Sequence, residues 1–320
     1  MKYELVKCIL LLHKDNLFNI EFGVNKKVTD NQQWVSRIKG SSSGTLFFLW
    51  VIKHLGLFPA YFFLLFASVQ YALFDKKSKQ AILEFRSRLG LKTNFLDFLR
   101  HFRSFGESII DRLYFQVSGV NPFIIEHDNS ELLSCEVSKG KGAILIGAHF
   151  GNWALAGSLL KERIKVAVNL VMYSSEEDSL KLRPENEGGG DFNIISINPE
   201  KAENMIEILN ALRKGELVCF LGDRFLSDQR CEMINFLGEE ACFPSGPFVL
   251  ASVADVPVIP FFAKKRNFKT YRIKAFKPIS VKSKDSTEIR DAISKYIAYL
   301  EEMVKENPNQ WYNFYPFWRE

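Results

Sequence analysis

Histidine and cysteine are scarce in this chain, 5 of each among 320 residues, and their placement excludes most metal and redox chemistry. Cys8, Cys135, Cys219, Cys231 and Cys242 show no CxxC spacing and have no histidine companions at ligand distance. Zinc and redox readings therefore fall away, and all five are expected as reduced thiols facing the cytosol. No Gly-x-Ser-x-Gly elbow is present, which weakens any hydrolase reading. Gly188-Gly189-Gly190 lacks the Lys-Ser/Thr of a phosphate loop and the spacing of a dinucleotide fingerprint, so it is expected to be a mobile loop. The net charge of +5 is too small to imply nucleic acid. The apolar run from Cys8 to Leu12 is too short for a secretory signal and no small-residue cleavage site follows it.

What the chain has in excess is aromatic. Its 29 Phe and 10 Tyr crowd into 45–74 and 311–318, a distribution that suggests contact with lipid at both places. From Thr45 to Phe74 only Lys53-His54 interrupt the apolar character, while Gly56 and Pro59 break the pattern into two helices at an angle. The first is expected to lie in a membrane interface. The second, Leu57 to Phe74, has 18 residues without charge, the lower limit for crossing a bilayer, and is expected to insert unless it is a buried core helix. Ser41-Ser42-Ser43-Gly44 marks a flexible joint before it. Directly after it come Lys76, Lys77, Lys79, Arg86, Arg88 and Lys92 against Glu84 alone. Such a flank biases that side to the cytoplasm, attracts anionic headgroups and suits an acidic carrier protein.

The length fits one large α/β domain with N-terminal additions. We divide it into an extension of unknown role (1–32), a membrane-associated helical segment (33–75) and one catalytic domain (76–320). Residues 94–118 carry Phe95, Phe98, Phe102, Phe105, Ile109 and Leu113 at helical period, a core face. From Gly142 onward apolar runs and helical patterns alternate. Ile144–Ile146, Val166–Tyr173, Ile194–Ile197, Leu217–Leu221 and Val258–Ala263 are expected strands. Trp153–Leu160, Glu200–Lys214, Gly246–Ala254 and Asp285–Glu306 are expected helices, and Tyr271–Val281 an added edge strand. That alternation argues for a mostly parallel sheet flanked by helices, an α/β fold.

His149 falls at a strand-to-helix turn, at the carboxyl end of a strand, where open α/β sheets keep their ligands. An imidazole at that place suits a general base; a helix cap is the alternative. Asp223 and Arg224 follow Leu217–Leu221 at another carboxyl end, and Arg224 is suited to hold a phosphate bidentately; a surface pair capping a loop is the other reading. Ser245-Gly246 opens a helix, where backbone N–H groups suit a phosphate or oxyanion, or Ser245 is an N-cap.

The run Gly147-Ala148-His149-Phe150-Gly151-Asn152-Trp153-Ala154 resembles the signature block of the bacterial lipid A late acyltransferases, the lauroyl/myristoyl transferase family. Gly222-Asp223-Arg224, Phe243-Pro244-Ser245-Gly246, Val256-Pro257-Val258-Ile259-Pro260 and Pro308-Asn309-Gln310-Trp311 resemble further blocks in the same order, over about Trp34 to Trp318. The resemblance implies a glycerolipid-acyltransferase-like fold that moves a fatty acyl group from an acyl carrier protein or CoA thioester to a lipid hydroxyl, as in lipid A biosynthesis. It implies the cytoplasmic face of the inner membrane, no metal and no tightly held cofactor. His149 is then the catalytic base, with Gly151, Asn152, Arg224, Ser245 and Gly246 around the substrate.

In the family a Glu or Asp stands five positions after the His; here Ala154 does. Asp223 is the best candidate to orient His149 in its stead. Asn313-Phe314-Tyr315 replaces the usual His-Arg-Arg, and Val171-Met172-Tyr173-Ser174 lacks an expected Arg. These departures point to a divergent branch, with an aminolipid or polyene conjugate among the possible acceptors. The competing expectation is a catalytically impaired relative that binds lipid or a partner protein.

Overall fold

Short runs of Ile, Val and Leu make strands here, because a strand buried on both faces needs no polar alternation. The computed structural model describes residues 42–157, 164–173, 193–197, 203–224 and 230–318. Its strands are β1 (Ile124–Asp128), β2 (Ala143–Gly147), β3 (Val168–Tyr173), β4 (Asn193–Ile197), β5 (Leu217–Leu221), β6 (Cys231–Phe236), β7 (Glu239–Pro244), β8 (Val258–Lys265) and β9 (Thr270–Ala275). Seven form one sheet in the order β1-β9-β8-β2-β5-β3-β4. Only the β8–β9 pair in it is antiparallel, so the mostly parallel sheet is as expected. Gly188-Gly189-Gly190 and residues 1–32 lie outside the described residues.

Four strands differ from expectation. The segment after Tyr271 is an interior strand, not an edge, and it stops at Ala275. Tyr271, Ile273 and Ala275 are buried between β1 and β8, and beyond them only Ile279 bridges back to Val258. The true edge is β1, whose Ile-Ile-Glu-His-Asp is too polar to announce itself, because an edge strand buries little. The β6–β7 hairpin was not foreseen either. It turns on Leu237 and Gly238, both with positive φ (55° and 90°), and the Leu237 N–H donates to the Glu301 carboxylate at 2.7 Å.

The hairpin also corrects the expectation of five free thiols. Cys231 and Cys242, 11 residues apart, meet across it with Cα atoms 5.6 Å from each other and form a disulfide. Spacing rules for metal and redox motifs do not see such a pair, because only the hairpin register brings the two together. Cys135 and Cys219 are free, and burial pushes the Cys219 thiol up to about 12. Cys8 lies outside the described residues.

The helices are α1 (Ser42–Leu55), α2 (Leu57–Phe74), α3 (Lys76–Arg88), α4 (Phe95–Ser118), α5 (Ser130–Ser138), α6 (Glu203–Arg213), α7 (Gly246–Ala254) and α8 (Ser286–Glu306). Gly56, at φ 87°, divides α1 from α2. Ser42–Gly44, expected as a joint, are the first turn of α1, since the apolar run after them propagates the helix backward. An Asn94–Asp97 capping box starts α4 and left-handed Gly119 ends it.

One face of the sheet, through Ile144, Ile146, Val218 and Val258, packs on Ile208, Phe248, Ile293 and Tyr296 of α6, α7 and α8. Leu145, Leu217 and Ile259 pack on the other face with Leu133 of α5. Val51, Ile52, Ala60, Leu64, Ile110 and Leu113 join α1, α2 and α4 into a helical layer beside it.

The aromatic tail is corrected as well. Trp311, Tyr312, Phe317 and Trp318 are buried, and Trp311 packs on Phe85 and Phe236. Trp311, Phe317 and Trp318 pack against α3 and the hairpin and Tyr312 against Phe105 of α4, so these four side chains face the protein interior. Part of the basic flank is likewise internal. Buried Arg86 pairs with Asp97 at 3.2 Å and donates to Asn309, while Arg88 bonds Glu84 and Glu239 and lies over Trp318.

Candidate active site

Adjacency of β2 and β5 creates the site. Their parallel register sets Gly147 opposite Leu221, and Gly222 N–H donates to Gly147 O at 2.9 Å beyond the last pair. His149 and Asp223 each lie two residues past their strand and therefore emerge level. The His149 ring Nδ1 stands 2.8 Å from Asp223 Oδ1, and the His149 backbone N–H reaches both carboxylate oxygens at 3.0 Å. At Gly222 a side chain has no room, because a Cβ would meet Ile146 Cδ1 at 2.6 Å.

The chain end clamps this turn. Gly151 N–H donates to Gln310 O and Tyr312 N–H to His149 O, both at 2.8 Å, and Phe150 bridges Trp311. Trp311 Nε1–H donates to Asp223 Oδ2 at 3.1 Å. Asp223 is 1% exposed and thus has all its acceptor capacity engaged inside the protein. Burial pushes its carboxyl up. The charge and hydrogen bonds of His149, with Arg224 beside it, outweigh that and hold its pKa below the ordinary carboxylate value.

A buried carboxylate that accepts from Nδ1–H fixes the tautomer and leaves Nε2 free to take a proton. Trp311 is a site residue that sequence reasoning missed. Its only signal was membership in the Pro-x-Gln-Trp block. Trp311→Phe is expected to lower turnover about 10- to 100-fold with little change in KM, by removing one hydrogen bond to a buried charge; steady-state kinetics check it.

Gly151 and Asn152, expected near substrate, lie in the turn with their amides already engaged. Gly151 sits at φ 59°, and a Cβ there would stand 1.9 Å from Ala263 O. Its N–H and that of Asn152 are spent on Gln310 O and Ala263 O. The Asn152 amide donates to Ser108 O at 3.0 Å and to Tyr271 Oη at 3.3 Å, and its oxygen accepts from Leu155 N–H at 3.1 Å. These two residues shape the turn and cap the helix over 153–157; their amides are not open to a ligand.

Arg224 donates to Tyr312 O at 2.7 Å and lies 5.5 Å from the Tyr315 ring centre, which ties it to the tail beside the pair. Ser245 is buried. Its hydroxyl donates to Arg230 O at 3.2 Å, and its carbonyl accepts from Phe248 and Val249. Among the described residues no hydrogen bond joins Ser245 to His149 or Asp223. A Cβ on Gly246 would meet nothing within 4 Å, so the approach to that helix start is open.

Beside the turn a small apolar cleft of about 40 Å³ opens to solvent between the sheet and the helix over 153–157. Leu145, Trp153, Ala154, Gly157, Leu170 and Phe261 line it. Ala154 is 5% exposed and faces this apolar space. Among the described residues no group of three His, Cys, Asp or Glu is placed to hold a metal ion.

Residues 120–320 match the model of a family described as bacterial lipid A biosynthesis acyltransferase. The chain is also similar to proteins named phosphatidylinositol mannoside acyltransferase from two strains of Mycobacterium tuberculosis, at 23% identity over 190 residues. That similarity covers 58% of this chain and spans about 57% of the length of those curated relatives.

Proposed function

The chain belongs to the bacterial lipid A biosynthesis acyltransferase family, and from that premise we propose that it transfers a fatty acyl group from an acyl carrier protein or CoA thioester to a hydroxyl of a lipid acceptor. The observation that carries the reading is the buried Asp223 carboxylate 2.8 Å from His149 Nδ1. His149 Nε2 takes the acceptor's hydroxyl proton as the oxygen attacks the thioester carbonyl. The C–S bond then breaks, and the imidazolium returns the proton to the departing thiolate. Asp223 holds the ring and stabilises its charged form. Arg224 offers a guanidinium to a donor or acceptor phosphate. The family's usual acid at position 154 is not needed, because Asp223 supplies the carboxylate. We place the reaction at the inner membrane. A sugar hydroxyl is the acceptor type that the mannoside relatives suggest.

Acyl transfer from labelled acyl carrier protein and from labelled acyl-CoA to a membrane lipid extract tests this. Labelled lipid is expected with this chain and not with a His149→Ala control. No transfer from either donor overturns the reading and favours a lipid-binding relative. Ala154→Glu is expected to reduce transfer by at least about tenfold in the same assay, because it sets an unpaired carboxylate into an apolar cleft.

A further inference from the structure

Among the described residues one helix is long and apolar enough to cross a membrane, Leu57–Phe74, and it is not free to do so. It runs antiparallel along α4, with Tyr61 bonded to Asp111, the Leu64 side chain against Gly106, and Tyr71 stacked on Phe102 at 5.8 Å. That companion helix carries Asp97, Arg100, Arg103, Glu107, Asp111 and Arg112. The Arg100 and Arg103 side chains are 63% and 52% exposed. A charged side chain at the centre of a bilayer costs about 2.5–3.5 kcal/mol or more, so α4 stays out of the hydrocarbon and holds α2 with it.

Among the described residues, little covers the opposite side of α2. Phe58, Phe62 and Phe66 are 67%, 59% and 60% exposed, and Leu65, Leu73 and Phe74 continue the face. Leu46 and Trp50 of α1 extend it, and the exposed cations Lys53, Lys76 and Lys77 flank it. Apolar area edged by Trp and Lys is the composition that sits at the level of lipid headgroups and meets their negative charge.

We propose that this face of α1 and α2 docks on an anionic lipid bilayer, with α2 lying in the plane of one leaflet and not crossing it. The face is one helix from the catalytic turn, since α4 also receives the Asn152 amide at Ser108 O. The proposal goes beyond the acyltransferase reading and stands apart from it, because docking is measured without substrate.

The test uses the 320-residue chain with vesicles of phosphatidylcholine alone or with phosphatidylglycerol. Binding is expected to the anionic vesicles and to fall more than about tenfold in Phe58→Ser/Phe62→Ser/Phe66→Ser. Circular dichroism of that variant is expected to be unchanged, since all three side chains are exposed. In a Cys8→Ser/Cys135→Ser background, fluorophores on Phe58→Cys, Phe66→Cys and Leu73→Cys report depth through quenching by brominated lipids. All three are expected at one shallow depth. A Phe66 probe near the midplane with shallow probes on either side means a spanning helix and overturns the proposal. So does binding that survives the serine substitutions, or equal binding to neutral vesicles. Absence of vesicle binding, as a second copy or another part of the chain seated on this face would cause, overturns it too.

Discussion

Asp223→Asn is expected to lower kcat for acyl transfer by about 10³- to 10⁴-fold while KM stays within a few-fold. The amide keeps the shape of the carboxylate and can still accept from Trp311 or from the His149 backbone. It loses the charge that stabilises the imidazolium and no longer enforces a proton on Nδ1. In the serine-protease triad the equivalent change costs about 10⁴. A merely structural Asp223 would instead change stability and KM together, so the split between the two constants decides.

The same carboxyl leaves a mark on stability. Its folded pKa is depressed, so its stabilising effect is present above the ordinary carboxylate value of about 3.9 and is lost as pH falls through the lower folded value. Between pH 7 and pH 3 the urea midpoint of the original chain is expected to fall more steeply than that of Asp223→Asn. Parallel curves would mean that the carboxylate is not stabilised by His149 in solution.

Asp111→Ala is expected to destabilise the fold by about 3–5 kcal/mol in urea titration, the cost of breaking a buried ion pair from one side. Asp111 is fully buried. It accepts from Lys265 Nζ at 2.6 Å and from the hydroxyls of Tyr61 and Tyr271. Removing it strands the ammonium, with Glu107 at 3.3 Å as the remaining carboxylate. The network joins α2, α4, β8 and β9, and through the Tyr271 hydroxyl it touches Asn152 in the catalytic turn. Loss of transfer activity is therefore expected at urea concentrations where the sheet signal is still intact. A change below about 1 kcal/mol would show that the ion pair contributes nothing net.

Local chemistry alone set several features correctly. The ends of β5, α2 and α7 follow from apolar runs bounded by Gly or by charged residues, and the break at Gly56 follows from its freedom at positive φ. His149 and Asp223 could each be placed at the carboxyl end of a strand by the same reasoning. Their separation could not. It depends on β2 pairing with β5 across more than seventy residues of chain, and a different strand order with the same elements would part them.

Trp311 came to Asp223, and the aromatic tail came to the core, for a similar reason. An aromatic run is equally suited to lipid and to a protein interior, and only the space left between α3, α8 and the hairpin decides. The interior position of β9 and the Cys231–Cys242 pair were also matters of register. In sequence one reads the period and the turn residues, which act over a few bonds. Which faces are left to cover one another is a property of the whole chain, and the site exists because of that.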